Sequence, residues 1–86
     1  MNNKKFCIAN LKMYLNQNEI DKYIINIKKF NDFTHINVVF CPPNTALNKF
    51  NDIIDIGNIS YGSQNISKYI KGGYTGEVSL KMIKEI

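Results

Sequence analysis

Short apolar runs alternate with amphipathic stripes along this chain, and that alternation constrains its fold more than anything else in it. Lys5 to Leu11 is a compact apolar run that suits a buried strand, and Ile36 to Cys41 is a second. Ile59 to Ile66 reads as a third strand, less apolar and interrupted by Gly62. Between the first two, Ile20, Tyr23, Ile24, Ile27 and Phe30 recur at helical spacing. Asn16-Gln17-Asn18 offers caps for that helix, Glu19 and Asp21 fall in its first turn, and Lys28 and Lys29 fall in its last. Asn31 to Thr34 is a polar turn. Pro42-Pro43 ends the second strand, because proline cannot donate to a ladder.

Thr45 can cap a second helix, with Ala46, Leu47, Phe50, Ile53 and Ile54 on its buried side and Gly57-Asn58 as its stop. Ser79 is a good N-cap for a third, carrying Leu80, Ile83 and Ile86 on one face. The expected order is β-α-β-α-β-loop-α. Strands alternating with helices imply a parallel sheet with right-handed crossovers. Such a sheet needs cover on both faces, which three strands and two and a half helices do not supply. The expectation is one partial α/β domain over residues 1–86, ending inside its third helix, with no second domain.

Composition narrows the function classes. Of 86 residues, 44% are apolar and 21% charged, the balance of a globular chain. Asn, Ile and Lys are heavily used, at 13, 14 and 11 residues. The net charge is +4, but the lysines are scattered and there is no arginine, the preferred fork for phosphates and guanines. General nucleic-acid binding is therefore not expected. No apolar run approaches the ~20 residues of a membrane helix. Cys7 and Cys41 fit neither a zinc spacing nor a redox pair and read as small, buried, reduced residues. No metal and no cofactor is expected. Asn58-Ile59-Ser60 and Asn65-Ile66-Ser67 match the glycosylation pattern, but nothing reads as a signal segment, so the expected home is the cytoplasm.

Two stretches carry chemistry. Asn10 and Lys12 lie two apart at the C-terminal end of the first strand, so an amide and an ammonium would project to one side, with Leu11 turned into packing. Parallel α/β folds bind ligands at that end, and a lysine there suits an anionic substrate such as a phosphate ester. On spacing alone, an exposed lysine beside a turn-forming Asn is the plainer reading. The second stretch is the loop between Asn65 and Ser79, longer than the ~2–6 residues usual for a βα connection. Its run Lys71-Gly72-Gly73-Tyr74-Thr75-Gly76-Glu77 lacks the phosphate-loop pattern and fits a protruding contact loop better than a phosphate cradle. His35, the one histidine, falls at the N-terminal side of the sheet, the wrong end for chemistry. Glu77 has no acid/base partner.

Taken in order, the motifs resemble the triosephosphate isomerase family. Asn10-Leu11-Lys12-Met13 is similar to its Asn-Trp-Lys-Met at the end of strand 1, and Cys41-Pro42-Pro43 to the Ala-Pro-Pro closing strand 2. Gln64-Asn65 matches the Gln-Asn at the end of strand 3. Tyr74-Thr75-Gly76-Glu77-Val78-Ser79 resembles Phe-Thr-Gly-Glu-Ile-Ser, and Met82-Ile83-Lys84 continues the match.

The resemblance implies the first three strands and helices of a (β/α)₈ barrel of about 250 residues. It implies interconversion of dihydroxyacetone phosphate and glyceraldehyde 3-phosphate, in glycolysis and gluconeogenesis, by proton transfer through an enediolate without metal or cofactor. It implies a Glu base, a neutral His electrophile and a loop whose closure excludes water. The resemblance implies that Lys12 pairs with the substrate phosphate and the developing oxyanion, and that Asn10 binds a substrate oxygen and positions Lys12. It also implies a homodimer. Thr75 would tip a loop that enters the other subunit, Gly76 would share the contact, and Glu77 would pair with an arginine of that subunit. Leu11 stands where the family has Trp, and Tyr14 where Asn is usual. The Gly-His-Ser-Glu segment and the catalytic Glu loop do not occur in these 86 residues. The chain alone is therefore expected to be inactive. The alternative is a decayed or truncated remnant that serves as an interaction module through its Gly-Gly-Tyr-Thr loop.

Overall fold

The computed structural model describes residues 5–29, 35–53 and 56–86. Phe30, the turn expected at 31–34 and Ile54 lie outside the described residues. Strand β1 is Phe6–Asn10, helix α1 Gln17–Lys29, β2 Asn37–Cys41, a 3-10 helix Asn44–Ile53, β3 Ile59–Tyr61 and α2 Leu80–Lys84. The strands form one parallel sheet in the order β1-β2-β3, as the alternation predicts. Cys7 pairs with Val38, Ala9 with Phe40, and Phe40 in turn with Tyr61.

That register sorts the side chains onto two faces. Val38, Phe40, Ile59 and Tyr61 face the helices. The Phe40 ring meets Tyr23 of α1 edge-on at 5.9 Å and Phe50 of the 3-10 helix at 5.9 Å, so both helices cover the same side. Ile20, Ile24 and Ile27 of α1 complete the core with Ala46, Phe50 and Ile53. A Gln17 side-chain amide donates to the Thr45 carbonyl at 2.9 Å and ties the two helices at their starts.

The other face is bare. Phe6 is 63% and Ile8 65% exposed, so β1 is not the buried strand its composition suggests. Cys7 is exposed as well and Cys41 half-buried, both as free thiols. A run that is apolar on both faces needs two covering layers, and the described residues supply one.

Three further expectations shift. The second helix is 3-10 along its whole length. Leu47, Phe50 and Ile53 repeat every three residues and are no more than 1% exposed; three is the period at which 3-10 side chains eclipse. β3 stops at Tyr61 rather than Ile66; its ladder ends where the Gly62 amide donates to the Phe40 carbonyl at 3.0 Å. Helix α2 is capped by Ser79 as expected, with Oγ accepting from the Met82 amide at 3.2 Å. It stops at Lys84, short of Ile86, and of the expected apolar face Leu80 is exposed and Ile83 only half-buried.

Candidate functional site

The C-terminal ends of the three strands converge on a small polar cluster. The last ladder contact of β1 is the Leu11 amide donating to the Cys41 carbonyl at 3.0 Å. Leu11 packs against the core, as its position between Asn10 and Lys12 predicts. The chain then breaks from the strand: Lys12 has φ of +53°. Strand alternation therefore does not carry Asn10 and Lys12 to one side. The backbone turns at Lys12 instead, and the Lys12 amide donates to Asn10 Oδ1 at 2.9 Å. An Asn side chain that accepts from the amide two residues on builds a local turn. Asn10 thus fixes the backbone that carries the lysine, by a route that the period-2 argument does not describe.

Gln64 is the residue that sequence reasoning marked without assigning a task. Its Nε2 donates to the Lys12 carbonyl and to the Cys41 carbonyl, each at 2.9 Å. One amide that follows β3 therefore clasps the ends of β1 and β2. A left-handed backbone at a residue with a Cβ costs of order 1–3 kcal/mol and persists only where its surroundings enforce it. Asn10 and Gln64 are the enforcing contacts here, one on each side of the Lys12 peptide. Leu15 adds a second left-handed residue, φ +63°, before the Asn16 cap. The expected strand through Ile66 hides this role, because it sets Gln64 inside the ladder; only with β3 ending at Tyr61 does the amide lie past the strand end, where open carbonyls need donors.

The Lys12 ammonium is exposed, and no carboxylate among the described residues pairs with it. That leaves one positive charge at the ligand-binding end of a parallel sheet, free to meet an anion. Cys41 shares the register of Asn10. Burial raises the Cys41 thiol above its ordinary value. His35 is exposed at the opposite end of β2, as expected. No cluster of three His, Cys, Asp or Glu side chains exists among the described residues. No described helix is long and apolar enough to cross a membrane.

Thr75, Gly76 and Glu77 lie apart from this cluster, all exposed on the loop between β3 and α2. The loop closes at its base, where the Ser67 amide donates to the Val78 carbonyl at 2.8 Å. At its tip the Glu77 amide donates to the Tyr74 carbonyl at 3.1 Å across Thr75-Gly76. Gly76 has φ of +83°, the value that the third position of a type II turn requires. The described chain makes no bond between this tip and Asn10 or Lys12.

Comparison with known proteins gives this arrangement a family. The family model for triosephosphate isomerase matches residues 5–86. Triosephosphate isomerase of Fusobacterium nucleatum is 35% identical over 79 residues, covering 91% of this chain and 32% of its own length. That of Dictyoglomus turgidum is 33% identical over 84 residues, covering 96% and 34%. The crystal structure of the Bartonella henselae triosephosphate isomerase superposes on 95% of the chain and 34% of its own, with a TM-score of 0.78 at 28% identity. The chain thus spans about a third of the length of the relatives it matches. Its three parallel strands are a partial TIM barrel. By the match of the family model from residue 5 to residue 86, this chain belongs to the triosephosphate isomerase family.

Proposed function

We propose that this chain supplies the Asn10–Lys12 wall of a triose phosphate site, in an enzyme that interconverts dihydroxyacetone phosphate and glyceraldehyde 3-phosphate. The reading rests on one observation above the others. A lysine that no carboxylate among the described residues pairs with is held in a left-handed backbone by Asn10 and Gln64, at the ligand-binding end of a parallel sheet. The Lys12 ammonium attracts the substrate phosphate. It also stabilises the negative oxygen that forms when a base removes a proton from the carbon beside the carbonyl. Asn10 binds a substrate oxygen and keeps the lysine in place. These 86 residues offer no candidate for the base or for the histidine that polarises the carbonyl, so residues 1–86 act as one partial domain and are inactive alone. The exposed loop tip at Thr75, Gly76 and Glu77 contacts a second copy in a homodimer. The setting is the cytoplasm, in glycolysis and gluconeogenesis.

Split-barrel complementation tests this. The chain alone should give no turnover of glyceraldehyde 3-phosphate. Mixed with the remaining two thirds of the Fusobacterium nucleatum relative, it should restore turnover. In that complex Lys12→Ala should lower kcat/KM by ~10²–10³-fold, the cost of one preorganised electrostatic group. Turnover by the pure chain, or an unchanged rate with Lys12→Ala, would sink the assignment.

A further inference from the structure

The contact loop contains a feature that its motif does not account for. Tyr69 and Tyr74 stack face to face, centroids 4.1 Å apart and planes within 2°. The Lys68 ammonium lies 5.1 Å from the Tyr69 ring centroid. Tyr69 is further fixed by its amide, which donates to Ser67 Oγ at 3.1 Å. Gly72 leaves the room the stack needs: a Cβ there would come within 2.5 Å of Tyr74 Cε2 and 2.9 Å of Cδ2. Both rings remain about two-fifths exposed, at 42% and 44%, so the stack is no part of the main core. It orders only the loop that carries it.

We infer that the Tyr69–Tyr74 stack, with Lys68 on it, is a positioning device that sets the Thr75-Gly76 tip for docking onto a second copy of the chain. The inference rests on the homodimer reading given above. Tyr74 is the first residue of the tip turn, since its carbonyl accepts from the Glu77 amide. Whatever holds the Tyr74 ring therefore holds the entry to that turn. A loop of this length would otherwise lose its freedom at the moment of binding, and ordering it beforehand removes that cost. Stacked aromatic pairs and exposed cation–π contacts are together strong enough to shift such an equilibrium about tenfold.

The test compares the whole chain with Tyr69→Ala and Tyr69→Phe, the second of which keeps the stack. Trypsin cleavage after Lys71 reads loop order, and sedimentation velocity across a dilution series reads self-association. Tyr69→Ala should be cut about tenfold faster and should self-associate about tenfold more weakly. Tyr69→Phe, which keeps the ring and loses only the hydroxyl, should match the parent in both. Unchanged cleavage in Tyr69→Ala refutes the stack as an ordering device. Faster cleavage with unchanged association refutes its role in docking. A parent chain that stays monomeric at every concentration refutes the homodimer reading instead, while the cleavage rates still judge the stack.

Discussion

At the scale of single residues, Lys12 is where chemistry and backbone strain meet. Its φ of +53° is a conformation that glycine adopts freely and that a side chain resists. In the site proposed above the lysine serves through its ammonium, and the backbone cost is borne by the contacts of Asn10 and Gln64. Comparing two variants separates the charge from the strain. Lys12→Ala and Lys12→Gly both remove the ammonium, but only the second relieves the backbone. Lys12→Gly should be the more stable of the pair by about 1 kcal/mol, a reversal of the usual ranking of Ala over Gly. Urea midpoints on the two variants check it. Equal midpoints, or a more stable Lys12→Ala, would mean that the left-handed backbone carries no strain worth the name. The sequence made Asn10 and Lys12 legible as a pair through their spacing. It could not disclose the left-handed turn between them, because period 2 holds only inside a strand and β1 ends at Asn10.

At the scale of elements, legibility follows how local the determining forces are. Helix α1 was readable because its start is written in side chains that bond to their own backbone. The Glu19 amide donates to Asn16 Oδ1 at 3.0 Å, and the Asn16 amide donates to Glu19 Oε1 at 2.9 Å, a reciprocal capping box. Asn16→Ala removes the acceptor of the Glu19 amide and leaves only the return bond from the residue 16 amide to Glu19 Oε1. The loss should be about 1 kcal/mol in chain stability, read from a urea denaturation curve, and Asn18→Ala should cost less. If the two substitutions cost the same, the cap is not at Asn16. The Ser79 cap of α2 was legible on the same local grounds. The 3-10 form of the second helix was not, because an apolar set at 46, 47, 50 and 53 suits either period. The choice falls to tertiary packing, in which Phe50 sits between Phe40 and Tyr61 with ring centroids at 5.9 and 6.3 Å. The hydrogen bond from the Tyr61 hydroxyl to Asn51 adds to that choice. β3 was overread for a related reason: the polar residues after Gly62 serve a clasp across the strand ends, and Gln64 reaches its partners 52 and 23 residues away in sequence.

At the scale of the whole molecule, the decisive fact is asymmetry between the two faces of the sheet. One face is covered by α1 and the 3-10 helix except at Cys7 on the β1 edge. The other presents Phe6 and Ile8 beside half-buried Val39. β1 and β3 also each have one edge unpaired among the described residues, and open edges of this kind template association. In the barrel of the relatives, strands continue from those edges and close the layer. The chain on its own must meet that demand through contact with other chains or leave it unmet. Its melting temperature should therefore rise with protein concentration, since association that occurs only in the folded state stabilises by mass action. Ile8→Lys places a charge in the middle of the bare face, away from α1 and the 3-10 helix. It should weaken the concentration dependence, sparing the part that runs through the Thr75-Gly76 tip, while leaving the α1 core intact, as judged by retained helical circular dichroism. In the complemented barrel the same substitution should prevent assembly, because there the charge would be buried without a partner. A sharp, concentration-independent melt of monomeric parent chain would show that one covered face is enough, and the need for a second layer would fall with it.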